Sequence, residues 1–432
     1  MCTPMTRMIP ASLAVFASLA LASESTTLTL KQAVDLALRQ NPDITIARLD
    51  ELRAALDVQV VKEPVLPRVY AGSGLAYSNG FPMSIDGSAP SIVQAKATRT
   101  IYSRSQNLQV AQARESAHGA TFGSAAVREE VALRAATLFL DLEKTMRQIE
   151  LAARQHEALQ RVETQVRSRV DEGREKEIEG RRAALNVARA RQRSGALESQ
   201  RKRISESLAT LLGLSPEVRI VPANEERPRP ALPDGEDSSV QVALKDNPEL
   251  RKLESDIAAR DLHARGLRAM RYPKIDLVAQ YGLFAKFNNY TDYFRTFQRN
   301  NGQLGVSVSL PIFANAQDEA QAAQAAIDGQ RLQAELNRAR GHVETETRQS
   351  WEEIGDAETA EQLAHMDLDL AREQTGLLLA QLEEGKVTLK DVEMARYVEN
   401  ERWMQLYDAT SAVERARFQL LKQTRMLVAA LR

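Results

Sequence analysis

At 432 residues the chain is longer than one ordinary domain, so two domains or a repeat architecture are the starting expectations. A net charge of −1 with 27% charged residues removes the electrostatic reason to expect nucleic acid as a partner. Aromatic residues are only 5%, and Ala, Arg, Glu, Gln and Leu dominate, which is the composition of long helices.

The first element reads as a leader. Arg7 precedes an apolar run from Ile9 to Leu21, and Ala20-Leu21-Ala22 has the small-x-small spacing of a signal-peptidase site. Residues 1–22 are therefore expected to be a signal peptide and the mature chain to be exported. The run is too short to cross a bilayer as a helix, and no later stretch approaches about 20 consecutive apolar residues. Cys2, the sole cysteine, lies ahead of the run and away from the cleavage site, so neither a lipid anchor there nor a disulfide is expected.

Leu30 to about Glu63 reads as an amphipathic helix interrupted at Asn41-Pro42 and ended by Pro64 and Pro67. An extended stretch follows to Tyr77, then a polar segment from Ser78 to Ser91, then a second candidate strand to Tyr102. From about Ser105 to Asp171 there is no proline. Within it Val131, Ala135, Leu138, Leu142, Thr145, Ile149, Ala152, His156 and Leu159 step by four and three along one seam. Such a helix would be roughly 100 Å long. Gly173 breaks it, and another runs from about Glu177 to Leu212, where Gly213 and Pro216 stop it. Residues 214–238 hold Pro216, Pro222, Pro228, Pro230 and Pro233, a linker by composition.

The order then restarts. "VDLALRQNPDI" at Val34 is echoed by "VQVALKDNPEL" at Val240, and 247 − 41 gives a spacing of 206 between the two Asn-Pro pairs. A helix to about Arg271, a strand after Pro273, an aromatic loop and a second strand follow. Next come a proline-free helix from Asn315 to Glu384, a break at Gly385 and a last helix from Leu389 to Leu431. Residues 23–213 and 239–432 are thus two copies of one unit.

The second pair of strands alternates. Ile275, Leu277, Ala279, Tyr281, Leu283, Ala285 and Phe287 share one face, and Leu304, Val306, Val308 and Leu310 do the same in the next strand. About ten residues with one apolar and one polar face suit a transmembrane β-barrel, with Tyr281, Phe284 and Phe287 as its interfacial aromatic girdle. A soluble sheet with one buried face would alternate in the same way, so alternation alone leaves both readings open. In the first half Arg99 falls where a lipid-facing apolar residue is expected. Two strands per half make four per chain, too few to close in lipid, where open edges strand backbone groups at several kcal/mol each. Three chains would supply about twelve strands, within the bacterial range.

Three motifs stand in register: "ALRQNP" at Ala37 with "ALKDNP" at Ala243, "VSLPIF" from Val308 to Phe313, and "EEGKVTLKDVEMAR" from Glu383 to Arg396. Together they resemble the TolC-like outer-membrane efflux protein family across essentially the whole mature chain. The resemblance implies a mainly α fold with a small β part. Three protomers would form a periplasmic α-barrel of long hairpins, joined to a shared 12-stranded outer-membrane β-barrel with four strands from each protomer. It implies a passive exit duct of a tripartite efflux or type I secretion system, without catalysis. The expected partners are two more copies of the chain, outer-membrane lipid, a periplasmic adaptor (membrane-fusion) protein and an inner-membrane resistance-nodulation-division or ABC transporter. By the same resemblance Gly173 and Gly385 mark the tips that meet the adaptor, with Val387 and Thr388 beside them. Asp391 and its first-half counterpart Glu179 stand at the periplasmic aperture, and Met394 occupies a position often acidic in the family.

Plainer readings compete. Gly173 and Gly385 could be simple helix C-caps, and Asp391 a first-turn acid facing the helix dipole. The basic run from Arg181 to Arg203 is a solvated helix face, since the stacking aromatics of a nucleic-acid site are missing. His118, His156, His263, His342 and His365 show no metal-binding spacing, and no nucleophile constellation or P-loop is present, so no metal, cofactor or catalytic residue is expected. The rivals to a channel are a soluble periplasmic coiled-coil scaffold or adaptor and a periplasmic enzyme.

Overall fold

In the computed structural model the described residues are 25–63, 68–74, 91–223, 225, 227–284, 300–312 and 316–431. The leader at 1–22, Pro64, Pro67, Phe287 and most of both inter-strand segments lie outside them.

The Asn-Pro pairs organise both halves. Helix α1 (Leu30–Gln40) opens with a reciprocal capping box between Thr29 and Gln32 and buries Leu30, Ala33, Val34, Ala37 and Leu38 on one face. Asn41 leaves the helical region at ψ 132°, which ends α1, and its Oδ1 accepts from Asp43 N at 2.8 Å to start α2 (Pro42–Lys62). Pro42 sits at the first helical position, where its missing N–H costs nothing. Asn247 repeats every part of this between α5 (Glu236–Asp246) and α6 (Pro248–Arg268), accepting from Glu249 N at 2.9 Å. The sequence pattern marked one helix with an interruption in the first half; the structure has two helices in each half, with the asparagine ending one and capping the next.

Between them run α3 (Arg104–Asp171) and α4 (Glu177–Leu211) in the first half, and α7 (Ala316–Glu383) and α8 (Leu389–Gln423) in the second. The long helices have 68 residues each and their partners 35 each. At about 1.5 Å per residue the long ones reach roughly 100 Å. The seam marked on α3 is the packed one, with Val131, Ala135, Leu142, Thr145 and Ala152 all buried. Its threonine is accommodated because Thr145 Oγ1 donates to Asp141 O, one turn back, at 2.7 Å.

Four helical columns stand side by side. Asn41 Nδ2 donates to Leu211 O at 2.9 Å, which stacks α2 on the end of α4, and Asn247 Nδ2 reaches Gln423 Oε1 at 3.5 Å, which stacks α6 on α8. Near the strands α2 packs on α3, α3 on α6 and α6 on α7; farther away α4 packs on α3, α3 on α8 and α8 on α7. The α2/α4 column and α7 are therefore the outer edges at both levels.

The main apolar core lies midway, where α1, α3, α4 and α8 converge on Phe139, Leu142, Leu208, Leu212 and Phe418. Fully burying each such side chain contributes about 2 kcal/mol. Two features there differ from the sequence reading. The proline-rich segment contains strand β4 (Arg219–Pro222), paired in parallel with β1 (Ser25–Leu28). The final helix also breaks: α8 ends at Gln423, Arg425 adopts φ 60°, and a short α9 (Leu427–Ala430) carries Leu427 into the core.

Strands β2 (Arg68–Gly74), β3 (Ser91–Tyr102), β5 (Lys274–Phe284) and β6 (Asn300–Ser309) form one antiparallel sheet in the order β2-β3-β5-β6. The halves meet at β3–β5, and β2 and β6 are the free edges.

Candidate functional site

Two regions carry the expected function, the sheet at one end and the helix turns at the other. The register separates the sheet's faces. Val69, Ala97, Ala279 and Leu304 lie abreast on one face, followed by Arg99, Leu277 and Val306 and then by Ile275 and Val308. On the other face Lys96, Gln280 and Gln303 lie abreast, Thr98, Val278 and Gly305 form the next row, with Val278 its apolar exception, and Thr100, Asp276 and Ser307 the row after. There Thr100 Oγ1 donates to Asp276 Oδ1 at 2.7 Å, and Lys274 Nζ pairs with Asp276 at 3.0 Å.

A soluble two-layer fold would cover the apolar face. Here Leu304, Val306 and Val308 are 76%, 60% and 64% exposed, and no helix of the described residues lies over them. That exposure decides between the two readings that alternation left open: the face is built for an apolar surrounding. Arg99 does sit on it, abreast of Leu277, three residues from the helix end of β3, within reach of a polar interface for a long side chain. Tyr281 lies toward the opposite end and donates to Asn300 Oδ1 at 3.3 Å; Phe284 closes β5, and Phe287 is outside the described residues.

At the other end Gly173 and Gly385 occupy matching turns with φ 72° and 73°. Gly173 N bonds Val170 O and Arg174 N bonds Arg169 O; Gly385 N bonds Leu382 O and Lys386 N bonds Gln381 O. These are paired Schellman closures, and the left-handed conformation is why glycine stands at both. Val387 and Thr388 follow the second turn. Thr388 caps α8: its side chain accepts from Asp391 N, while Asp391 Oδ2 accepts from Thr388 N at 2.9 Å and from Thr388 Oγ1 at 2.6 Å. Those hydrogen bonds from Thr388 hold the Asp391 carboxyl below its usual range, so it is a charged, exposed acid at the turn.

Glu179, its counterpart, is tied differently. Lys390 Nζ reaches Glu179 Oε2 at 3.1 Å, and Arg182 reaches Oε1 at 2.6 Å. The hydrogen bond from Lys390 leads in depressing the Glu179 carboxyl. This pair joins the first turn of α4 to the first turn of α8, so the two tips are side by side. Between them lies a cavity of about 890 Å3 lined by Arg169, Glu175, Glu179, Arg182, Asp391 and Met394 among others.

Sequence reasoning missed Lys390, although it lies inside a quoted motif, and missed the arginines of the proline-rich segment. Arg227 bridges Glu143 at 2.8 Å and Glu414 at 3.2 Å, and Arg229 holds Glu361. They pin the segment between the halves to α3, α7 and α8. The signal was present as charged residues alternating with prolines, "RPRP" from Arg227. Among the described residues no group of three His, Cys, Asp or Glu could hold a metal ion, and no helix is long and apolar enough to cross a membrane.

The model of the family described as outer membrane efflux protein matches residues 33–214 and 239–424. No curated protein sequence matches the chain. Among solved structures, CusC superposes with TM-score 0.76 at 14% identity, covering 98% of each chain. A membrane protein from Pseudomonas aeruginosa gives TM-score 0.75 at 16% identity, covering 97% of this chain and 99% of that one. The open state of the Neisseria gonorrhoeae MtrE outer membrane channel gives 0.68 at 16%, covering 100% and 98%. At these identities the likeness is one of fold.

Proposed function

The chain belongs to the outer membrane efflux protein family, as an outer-membrane channel with a periplasmic helical part and no catalysis of its own, and from that premise we propose how it builds and guards its duct. Residues 1–22 direct export, and the two repeats, 23–213 and 239–432, are held in register by the 214–238 segment. Three copies of the four-stranded sheet give twelve strands, which pair every β2 and β6 edge and close one barrel. The apolar face meets lipid, and the polar face, with Lys96, Gln280 and Gln303, lines water.

The tips at Gly173 and Gly385, with Val387 and Thr388, receive the periplasmic adaptor, through which an inner-membrane resistance-nodulation-division or ABC transporter supplies the energy. Glu179 and Asp391 ring the aperture. The Lys390–Glu179 pair links α4 to α8 there, and its release lets the second-half hairpin swing outward. Tyr281, Phe284 and Phe287 form the outer girdle.

The observation that carries this reading is an uncovered apolar sheet face with two free edges above helices roughly 100 Å long. Electron microscopy of detergent-purified particles tests it: a hollow cylinder about 140 Å long is expected from helix rise plus barrel height, and a monomer without a lumen would overturn it. For the aperture, Lys390→Glu is expected to raise single-channel conductance in planar bilayers, and an unchanged conductance would remove the link from the gating account.

A further inference from the structure

The four strands of the large sheet carry five charged residues, Arg68, Lys96, Arg99, Lys274 and Asp276, and only one of them is acidic. The register sorts them by face. Arg99 falls on the apolar face, abreast of Leu277. The other four fall on the polar face: Arg68 opposite Thr98, Lys96 between Tyr70 and Gln280, Asp276 between Thr100 and Ser307, and Lys274 opposite Ser309.

The one acid is already matched. Asp276 takes Lys274 Nζ at 3.0 Å and the Thr100 hydroxyl at 2.7 Å, so that pair adds no net charge. Lys96 has no acidic partner among the described residues. Its neighbours across the sheet, Tyr70, Gln280 and Gln303, are neutral, and so are Gln94 and Thr98 on its own strand. Beside it a hollow of about 470 Å3 is lined by Gln94, Thr98 and Lys274 among others, groups that can donate hydrogen bonds. The glutamines, serines and asparagines of this face are enough to keep it wet. An unmatched cation repeated in every copy sets the sign of the potential there as well.

We propose that Lys96 makes the outer section of the duct a cationic ring, which admits solutes bearing carboxylate or phosphate groups in preference to cations. The proposal rests on the three-copy barrel reading above. Twelve strands about 4.8 Å apart and tilted by about 40° give a circumference of roughly 75 Å and a backbone radius of about 12 Å. Lysine side chains reach inward from that wall. Three ammonium groups at one level then stand about 10 Å from the axis, close to the Debye length of roughly 8 Å at physiological salt. In dilute salt, where screening extends to about 30 Å, three such charges enrich a monovalent anion at the axis by about fourfold and deplete a cation as much. Arg68, one row nearer the helices, adds the same sign.

The aperture acids stand apart from this ring. Asp391 lies at the far end of helices roughly 100 Å long, many Debye lengths away. The parent channel's own ion preference therefore mixes two sections, and a change confined to residue 96 isolates one of them.

The test is the reversal potential of the purified full chain in planar bilayers, under a tenfold gradient of dilute KCl. Lys96→Gln is expected to lower the ratio of chloride to potassium permeability by about threefold or more, and Lys96→Glu to lower it further. Both differences should shrink in 1 M KCl, where the Debye length is about 3 Å. In the parent, inorganic triphosphate added on the barrel side is expected to block current at lower concentration than spermine does. A permeability ratio that ignores residue 96 overturns the ring and leaves the channel standing. Should either variant fail to insert, the parent still decides, because a block by spermine equal to or stronger than that by triphosphate overturns the ring. No conductance from the parent or from Lys390→Glu removes the channel reading as well.

Discussion

Glu129 gives a stability prediction with a definite sign. It lies on α3, 6% exposed, and its Oε2 accepts from Val428 N at 3.3 Å, holding α9 against the long helix. Burial pushes its carboxyl from the ordinary 4.5 up to about 7, although the Val428 N–H and the charges of Arg425, Arg128 and Lys422 pull the other way. Glu130 and Glu346 are engaged elsewhere, by Lys422 and by Gln423 and His342. Between pH 4.5 and about 7 the folded chain holds this proton and the unfolded chain has lost it. The contribution to stability is therefore full below 4.5 and is lost as pH rises through about 7. At about 1.36 kcal/mol per pH unit the gap is worth about 3 kcal/mol. Glu129→Gln keeps an acceptor for Val428 N and removes the charge. Guanidinium unfolding, followed by helical circular dichroism in detergent, is expected to show variant and parent nearly equal near pH 4.5. At pH 8 the variant should be more stable by up to about 3 kcal/mol. A variant no more stable than the parent at pH 8, or a difference that ignores pH, would refute the buried-acid account.

Three other outcomes follow from the geometry. Leu304→Arg, on the apolar face, is expected to cost about 2–4 kcal/mol of insertion into lipid vesicles, whereas Ser307→Arg, on the polar face, should cost far less; equal effects would contradict the assignment of faces. Gly385→Val forces a β-branched residue to φ 73° and should destabilise the tip by about 1–2 kcal/mol, while Gly385→Asn is tolerated, as read by proteolysis at the turn. Arg227→Ala leaves Glu414 without the arginine it pairs with, while Glu143 keeps Arg147 at 2.6 Å, and should cost about 3 kcal/mol in chemical unfolding, part of it recovered by adding Glu414→Ala.

What could be read from the sequence was whatever local chemistry announces. Asn-Pro placed the junction at Asn41, because the asparagine must leave the helix and the proline can only begin one; the same pair at Asn247 reads as part of one helix to about Arg271, and the structure breaks it there too. Gly173 and Gly385 were legible because a left-handed turn residue nearly demands glycine. The break at Arg425 was not, since neither Pro nor Gly marks it; the chain turns there because Leu427 and Leu431 reach the core. Strand β4 hid among prolines because its partner β1 is almost two hundred residues earlier, and four residues carry no period to detect. Lys390 and Glu179 are 211 residues apart in sequence, so their contact exists only once the two tips are adjacent. Asp391 reads as a first-turn acid, and the structure adds that it closes a capping box with Thr388 three residues before it.

The spacing between the halves shows where the architecture tolerates change. Matching parts are 206 residues apart through β2 and β5, where 274 − 68 = 206, and 212 apart from α3 onward, where 316 − 104 = 212. The six added residues all fall between the start of a strand pair and the start of its long helix. The helices gain none: 11, 21, 68 and 35 residues recur in both halves. One residue inserted in a long helix would turn everything beyond it by about 100° and move its tip by about 1.5 Å. The buried seam would face outward, and the Lys390–Glu179 pair would separate. A strand junction at the barrel can absorb extra residues, because the sheet is registered by its own ladder, while two hairpins that must end side by side cannot differ in length.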